Sequence, residues 1–168
     1  MVQNIIPNSE SKDQRYKTNC KMIWWVFIAT FFMMEGVAWF THKYVMHGFL
    51  WALHKDHHTH ENSGFIEKND SFFLIFATPG ILCTLLGSYF GSDFSFAIGI
   101  GITLYGGCYF LVHDVFIHQR IKWFRHSNHW YFKGIRRAHK IHHKHLGKED
   151  GECFGMLWVP FKYLKRSK

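Results

Sequence analysis

His42–His58, with the sequence HKYVMHGFLWALHKDHH, contains five of the 14 histidines of the chain. Their spacing is H-x4-H followed by H-x2-H-H. The same two patterns recur in the same order further along the chain, and such a doubled pattern is far more specific than a single one. The second set lies at His113 and His118, then at His139, His142 and His143. The sequence therefore predicts that ten histidines from four segments act together.

The spacing of these histidines suits a metal site. On an α-helix successive residues turn by about 100°, so the three histidines of H-x2-H-H lie on one face and can converge on one cluster. The members of an H-x4-H pair lie about 140° apart, which predicts that each pair divides between two metals, or that the helix ends between its members. Neutral imidazole binds iron, zinc, copper and nickel, so the ligand type alone leaves the metal open.

The number of histidines narrows the kind of site. A closed structural zinc site takes four ligands, so two such sites would use only eight. Ten imidazoles shared by two metals give five each, which leaves one open position on each metal if the geometry is octahedral. Oxygen activation requires an open position on the metal. We therefore predict a dinuclear centre in which the ten histidines are shared by two metals. Its predicted ligands are His42, His47, His54, His57, His58, His113, His118, His139, His142 and His143.

Three apolar blocks, at about residues 22–41, 71–90 and 94–112, are each close to the ~20 residues that cross a ~30 Å hydrocarbon core. We therefore predict an all-α integral membrane bundle of about three spans, with a helical cap that carries the histidines. Residues 1–21 are predicted to form a polar leader and residues 22–168 a single membrane domain.

The charge distribution predicts the orientation in the membrane. Three spans place the histidine segments, within residues 42–58 and 113–143, on one side. Sixteen of the 20 lysines and arginines accompany the histidines, so the positive-inside rule predicts that this side is cytoplasmic. The four basic residues ahead of the first span favour the opposite orientation, and we give weight to the larger bias.

Three carboxylates are candidates for positions beside the metals. Histidine ligands usually donate their other ring N–H to a carboxylate or carbonyl, which favours Asp56 and Asp114. Glu35 lies inside the first span, where a carboxylate is costly. It either orients a ligand, lines an entrance to the site, or pairs with another helix.

Other residues leave alternatives open. Glycines in the second and third spans suit close helix packing, but they also suit a groove for a long, thin apolar molecule. His60, His126 and His129 lie outside the doubled pattern and are predicted not to bind metal.

The histidine boxes resemble those of the fatty-acid hydroxylase superfamily of membrane di-iron oxygenases. More narrowly, HKYVMHG, VHDVFIHQR, AHKIHHKH and GKEDGECFG are similar to bacterial β-carotene 3-hydroxylases, over about residues 22–165. The resemblance implies two irons and O2 as co-substrate. It also implies hydroxylation at C3 of the β-ionone rings of β-carotene, to β-cryptoxanthin and then zeaxanthin. Because imidazole binds zinc as well, zinc could replace iron in the purified protein.

Hydroxylation of an unactivated C–H bond needs a redox cofactor and two electrons per turnover. The four cysteines form no C-x-x-C pair, and no flavin or nicotinamide pattern is present, so the electrons are expected from outside. The resemblance implies a ferredoxin-type donor and a carotenoid drawn from membrane lipid, with no nucleic acid partner. One alternative is a related oxygenase acting on fatty acyl chains, sterols or a ketone-forming step on carotenoids. The other is a non-enzymatic membrane protein that binds or transports metal.

Overall fold

The computed structural model describes residues 9–59, 65–123 and 126–165, and every regular element within these ranges is a helix. The predicted all-α class is confirmed. The α-helices are α1 (Ser9–Phe40), α2 (Trp51–Thr59), α3 (Ser71–Phe90), α4 (Asp93–Phe110), α5 (Trp130–His142) and α6 (Phe161–Leu164). A first π-helix (Thr41–Phe49) continues α1, a second π-helix (Leu111–Ile117) continues α4, and a 3₁₀ turn (Lys68–Asp70) precedes α3.

Three helical segments are long and apolar enough to cross a membrane, namely Lys17–Phe49, Lys68–Phe90 and Asp93–Ile117. They contain the whole of each predicted block and confirm the predicted bundle of three spans. Helix α1 differs from the prediction at its start, because it begins at Ser9 within the predicted polar leader. The residues added there include lysine, glutamine and arginine. These residue types favour a helix.

Helices α3 and α4 form a tight antiparallel hairpin. Gly91 ends α3 with a φ of +67°, a left-handed conformation that glycine adopts without a steric penalty. A Cβ atom at Gly87 would overlap the backbone of Phe96, and one at Gly99 would overlap Thr84. These glycines therefore allow the two helices to pack with their backbones close together.

The histidine-bearing helices form a cap at one end of the three spans. Both π-helices extend spans into the cap, and α5 packs there around a small core of Ile135, Ala138, Val159 and Tyr163. Residues 145–158, called the C-terminal loop below, connect α5 to the last segment of the chain and pass back against α1. The cap thus combines four stretches of chain that are distant in sequence.

Candidate metal centre

The two H-x4-H pairs are positioned by the π-helices. His42 and His47 lie within the first, and the N–H of His118 donates to the carbonyl of His113 (2.9 Å) across the second. A π-helix bonds residues five apart, and it therefore brings them towards the same face. Both members of each pair consequently enter one cluster. The prediction that each pair divides between two metals is wrong, because it assumed a regular α-helix. The alternative, that the helix ends between the two members, holds for the second pair, since that π-helix ends at Ile117.

The two H-x2-H-H motifs lie on α2 and at the end of α5, and each motif contributes to two clusters. His54 and His58, one helical turn apart, join one cluster, whereas His57 joins the other. On α5, His142 joins the first of these and His139 the second. The three histidines of a motif therefore do not converge on one cluster as predicted. The clusters are neighbours, and α2 and α5 each reach both.

Nine of the ten predicted histidines form two groups, and within each group the candidate ligand nitrogens lie within 4.8 Å of one another. Cluster A contains His42, His47, His54, His58 and His142; cluster B contains His57, His113, His118 and His139. The tenth, His143, lies beside both. Its ring stacks on that of His58, with 4.5 Å between centroids, and lies 4.5 Å from that of His139.

In cluster A every Nδ1 atom faces an oxygen acceptor. Four of the five rings donate to backbone carbonyls of the C-terminal loop: His42 to Phe154 (3.0 Å), His47 to Lys148 (3.2 Å), His58 to His145 (3.0 Å) and His142 to Glu152 (2.8 Å). The fifth, His54, donates to the side-chain oxygen of Asn69 (2.7 Å). The orientation of cluster A therefore depends on the path of the C-terminal loop.

Two of the four rings of cluster B are supported by carboxylates instead. The Nδ1–H of His57 donates to Glu67 (2.7 Å), and that of His113 donates to Asp114 (3.1 Å). The guanidinium of Arg120 lies 3.3 Å from Glu67 and 3.2 Å from Asp114, so it links the two acceptors. Burial raises the pKa of the Glu67 carboxyl, and the charge of Arg120 opposes that shift.

The arrangement of donor atoms fits metal ions. A ring that donates from Nδ1 has a lone pair on Nε2, and these Nε2 atoms face one another. The Nε2 atoms of His42 and His54 are 3.1 Å apart, and those of His57 and His113 are 3.0 Å apart. Burial lowers the pKa of His54 to about 2 and that of His142 to about 3, so both rings are neutral near pH 7. Facing lone pairs repel unless a cation lies between them, and neutral imidazole is the form that binds metal.

The predicted carboxylates take different positions. Asp114 contacts a cluster histidine, as the sequence suggested. Asp56 is buried, and its carboxylate accepts the backbone N–H of Lys68 (2.7 Å) just before α3. The oxygens of Glu35 accept N–H groups of the C-terminal loop, so this residue pairs with another part of the chain.

Two of the three histidines predicted not to bind metal stand apart from the clusters. His126 and His129 are exposed, and His60 lies outside the described residues. Sequence reasoning missed Glu67 and Asn69 as acceptors. Both lie just before α3, and Glu67 forms a reciprocal capping box with Asp70, a polar pattern that could have drawn attention to this turn.

An apolar cavity of about 470 Å³ lies between α1, α3 and α4 and reaches cluster B at His113 and Asp114. Gly106 and Gly107 line it, and a Cβ atom at either position would have nothing within 4 Å. At Gly101, by contrast, a Cβ would lie 2.9 Å from Thr30 of α1. Close helix packing and an apolar cavity are therefore both found in this bundle, at different glycines.

The sequence of the chain is similar to those of known proteins. The profile of the fatty acid hydroxylase family matches residues 27–164. A beta-carotene hydroxylase of Pseudescherichia vulneris is 38% identical over 134 residues, which cover 80% of this chain and 75% of the relative. One of Pantoea ananas is 38% identical over 143 residues, covering 83% and 81%.

A chloroplastic beta-carotene 3-hydroxylase of an Oncidium hybrid cultivar is 38% identical over 127 residues, which cover 74% of this chain and 41% of that longer protein. No solved structure matches the chain.

Proposed function

This chain belongs to the fatty acid hydroxylase family, and from that premise we propose that it hydroxylates C3 of the β-ionone rings of β-carotene. The products would be β-cryptoxanthin and then zeaxanthin. As a hydroxylating oxidoreductase it needs a redox centre and access for an apolar substrate. The observation that carries the proposal is that the apolar cavity ends at cluster B, so that a substrate from lipid and the metal centre would meet there.

Clusters A and B are proposed to hold two irons, because imidazole suits iron and the lone pairs of both clusters face inward. A di-iron centre supplies the oxygen activation that acid–base side chains cannot. The chain itself orients the ligands. The Nδ1–H bonds fix the rings and tautomers of all five histidines of cluster A and of His57 and His113 in cluster B, and the carboxylates of Glu67 and Asp114 increase the basicity of His57 and His113.

The cavity is proposed to bind one end of the substrate. Phe72, Phe76, Ile81 and Ile102 give it apolar walls, and Gly106 with Gly107 widens it. A β-ionone ring carries no hydrogen-bonding group, so apolar burial is the main source of its affinity. The same walls exclude water from the side of cluster B where C3 would lie.

The electron donor is proposed to be an external ferredoxin that docks on the basic cap. Lys140 and Lys144 are exposed, and they alternate along the sequence with cluster histidines. A positive surface attracts an acidic electron carrier and steers its approach. Their position on the cap also supports a cytoplasmic location for the metal centre.

The proposed reaction is tested by pigment analysis after expression in a host that accumulates β-carotene. We expect β-cryptoxanthin and zeaxanthin in cells that express the chain, and neither product in cells with the empty vector. Extracts with only unchanged β-carotene, despite folded iron-loaded protein and an active donor, would contradict the substrate assignment. In that case fatty acyl, sterol or ketone-forming substrates would be tested next.

The orientation is tested by labelling single cysteines, introduced as Asn8→Cys and Glu149→Cys in a background without the four native cysteines. Glu149 is exposed on the cap, and three spans separate it from the N-terminus. We therefore expect a membrane-impermeant thiol reagent to reach position 149 only from the cytoplasmic side and position 8 only from the opposite side. Labelling of both positions from one side would require an even number of crossings.

A further inference from the structure

We propose that Glu35, a carboxylate within the first span, is a positioning residue for the ligands of cluster A. The proposal rests on the metal centre described under the proposed function, and it is independent of the identity of the substrate. It assigns to Glu35 the task of holding the C-terminal loop in the register that orients the histidine rings.

Glu35 binds three successive backbone N–H groups of the C-terminal loop. Its Oε1 atom accepts from Met156 (2.9 Å), Leu157 (3.0 Å) and Trp158 (2.9 Å). Its Oε2 atom accepts from Leu157 (3.1 Å) and from the hydroxyl of Tyr105 on α4 (2.7 Å). Successive N–H groups that converge on one anion form a concave site, and such charge-assisted bonds are roughly twice as strong as neutral ones.

The contact between Glu35 and the C-terminal loop depends on the residue at position 155. Gly155 precedes the three donors, and a Cβ there would lie 3.0 Å from Oε1 and 2.8 Å from the carbonyl oxygen of Trp158. The loop can therefore reach the carboxylate only because this position lacks a side chain. Since Glu35 lies well inside an apolar span, an unpaired carboxylate there would be costly. The N–H groups of the loop thus pair with the carboxylate of Glu35, and the carboxylate provides their hydrogen-bond acceptor.

The anchored loop supplies the acceptors of cluster A. Phe154, two residues before the first anchored N–H, accepts from His42, and Glu152 accepts from His142. Release of residues 156–158 would free the loop to move these carbonyls away from their rings. Cluster B does not use the loop for the contacts of His57 and His113, which are made to Glu67 and Asp114. Loss of Glu35 should therefore weaken one metal position and spare the other.

The test measures Fe(II) binding to the purified full chain in detergent, by anaerobic equilibrium dialysis followed by metal analysis. For Glu35→Ala we expect one iron to bind as in the unchanged protein. We expect the dissociation constant of the other to rise about 10- to 100-fold, the usual effect of removing a group that orients ligands. For Glu35→Gln we expect a dissociation constant between those of the unchanged protein and of Glu35→Ala, because the amide oxygen can still accept from residues 156–158.

A His113→Ala background identifies which position is affected. This change removes a ligand of cluster B, so the iron that remains reports on cluster A. Adding Glu35→Ala should then remove most of that iron. Adding the matched carboxylate change Glu67→Gln, which acts at His57 of cluster B, should leave it unchanged.

Hydrogen exchange at the amides of residues 156–158 provides a second measurement, and faster exchange is expected in Glu35→Ala. If this variant does not fold, Tyr105→Phe, which removes one bond to Glu35, should show a smaller change of the same kind. Two irons bound with unchanged affinity, or equal weakening of both, would overturn the proposal. Failure of the unchanged protein to bind iron would instead contradict the proposed metal centre.

Discussion

Replacing His57 with alanine is expected to abolish hydroxylation, with product formation reduced at least ~100-fold. His57 is 1% exposed, donates to Glu67 and directs its Nε2 towards His113 at 3.0 Å. The substitution removes an inward-facing nitrogen and also leaves the half-buried Glu67 carboxylate without this partner. Product should be measured by pigment analysis, and bound iron should be measured in the same preparations.

The matched control is His129→Ala, because His129 is exposed and outside both clusters. It should retain near-normal activity and iron content. The same experiment extends to all ten predicted ligands. If any three of the ten alanine variants kept near-normal activity with iron content unchanged, the ten-histidine centre would be wrong. Loss of iron in His126→Ala or His129→Ala would show that the set is larger.

Enlarging the side chain at Gly107 is expected to block the substrate without disturbing the metals. Gly107 lines the cavity, and an added Cβ would have nothing within 4 Å, so Gly107→Phe is expected to fill part of the cavity volume. We expect conversion of β-carotene to fall about 10- to 100-fold, since single methylene groups in apolar pockets already change rates this much. Gly107→Ala should have a small effect, and Gly107→Leu an intermediate one. Bound iron should be unchanged throughout the series.

Gly36→Phe is the matched control for this series. Gly36 is also a helical glycine with nothing within 4 Å of an added Cβ, but it is exposed on α1 and does not line the cavity. The variant should retain most of its activity. Equal activity in Gly107→Phe and the unchanged protein would mean that the substrate does not pass Gly107.

The sequence predicted the fold class, the three spans, the family resemblance and the nine histidines that form the two clusters. These features are visible because apolar blocks and histidine spacings are local patterns. The assignment of histidines to clusters was not visible, since the π-helices rotate His42 and His47 together in a way that α-helical periodicity does not anticipate. Acceptors such as the carbonyl of Phe154 are also hidden, because every residue carries a carbonyl.

The contacts of the glycines and of Glu35 also could not be predicted from the sequence. The sequence identified both as unusual within membrane spans, but their partners lie elsewhere in the chain. Gly99 packs against α3 whereas Gly107 faces a cavity, and no local feature distinguishes them. Glu35 meets residues more than a hundred positions away. Such distinctions require knowledge of which helices are neighbours.

Because most rings of cluster A donate to backbone carbonyls, the residues around cluster A and those around cluster B tolerate changes of sequence differently. A carbonyl is present whatever the side chain, so positions such as Lys148 can be exchanged while the bond to His47 remains. Glu67 has no such freedom, because its side chain is itself the acceptor. The constraint on the loop falls on its path instead, and Asp150 and Cys153 adopt φ values of 61° and 58° there. Substitution by β-branched residues at these two positions should therefore be poorly tolerated, whereas many replacements at Lys148 should be accepted.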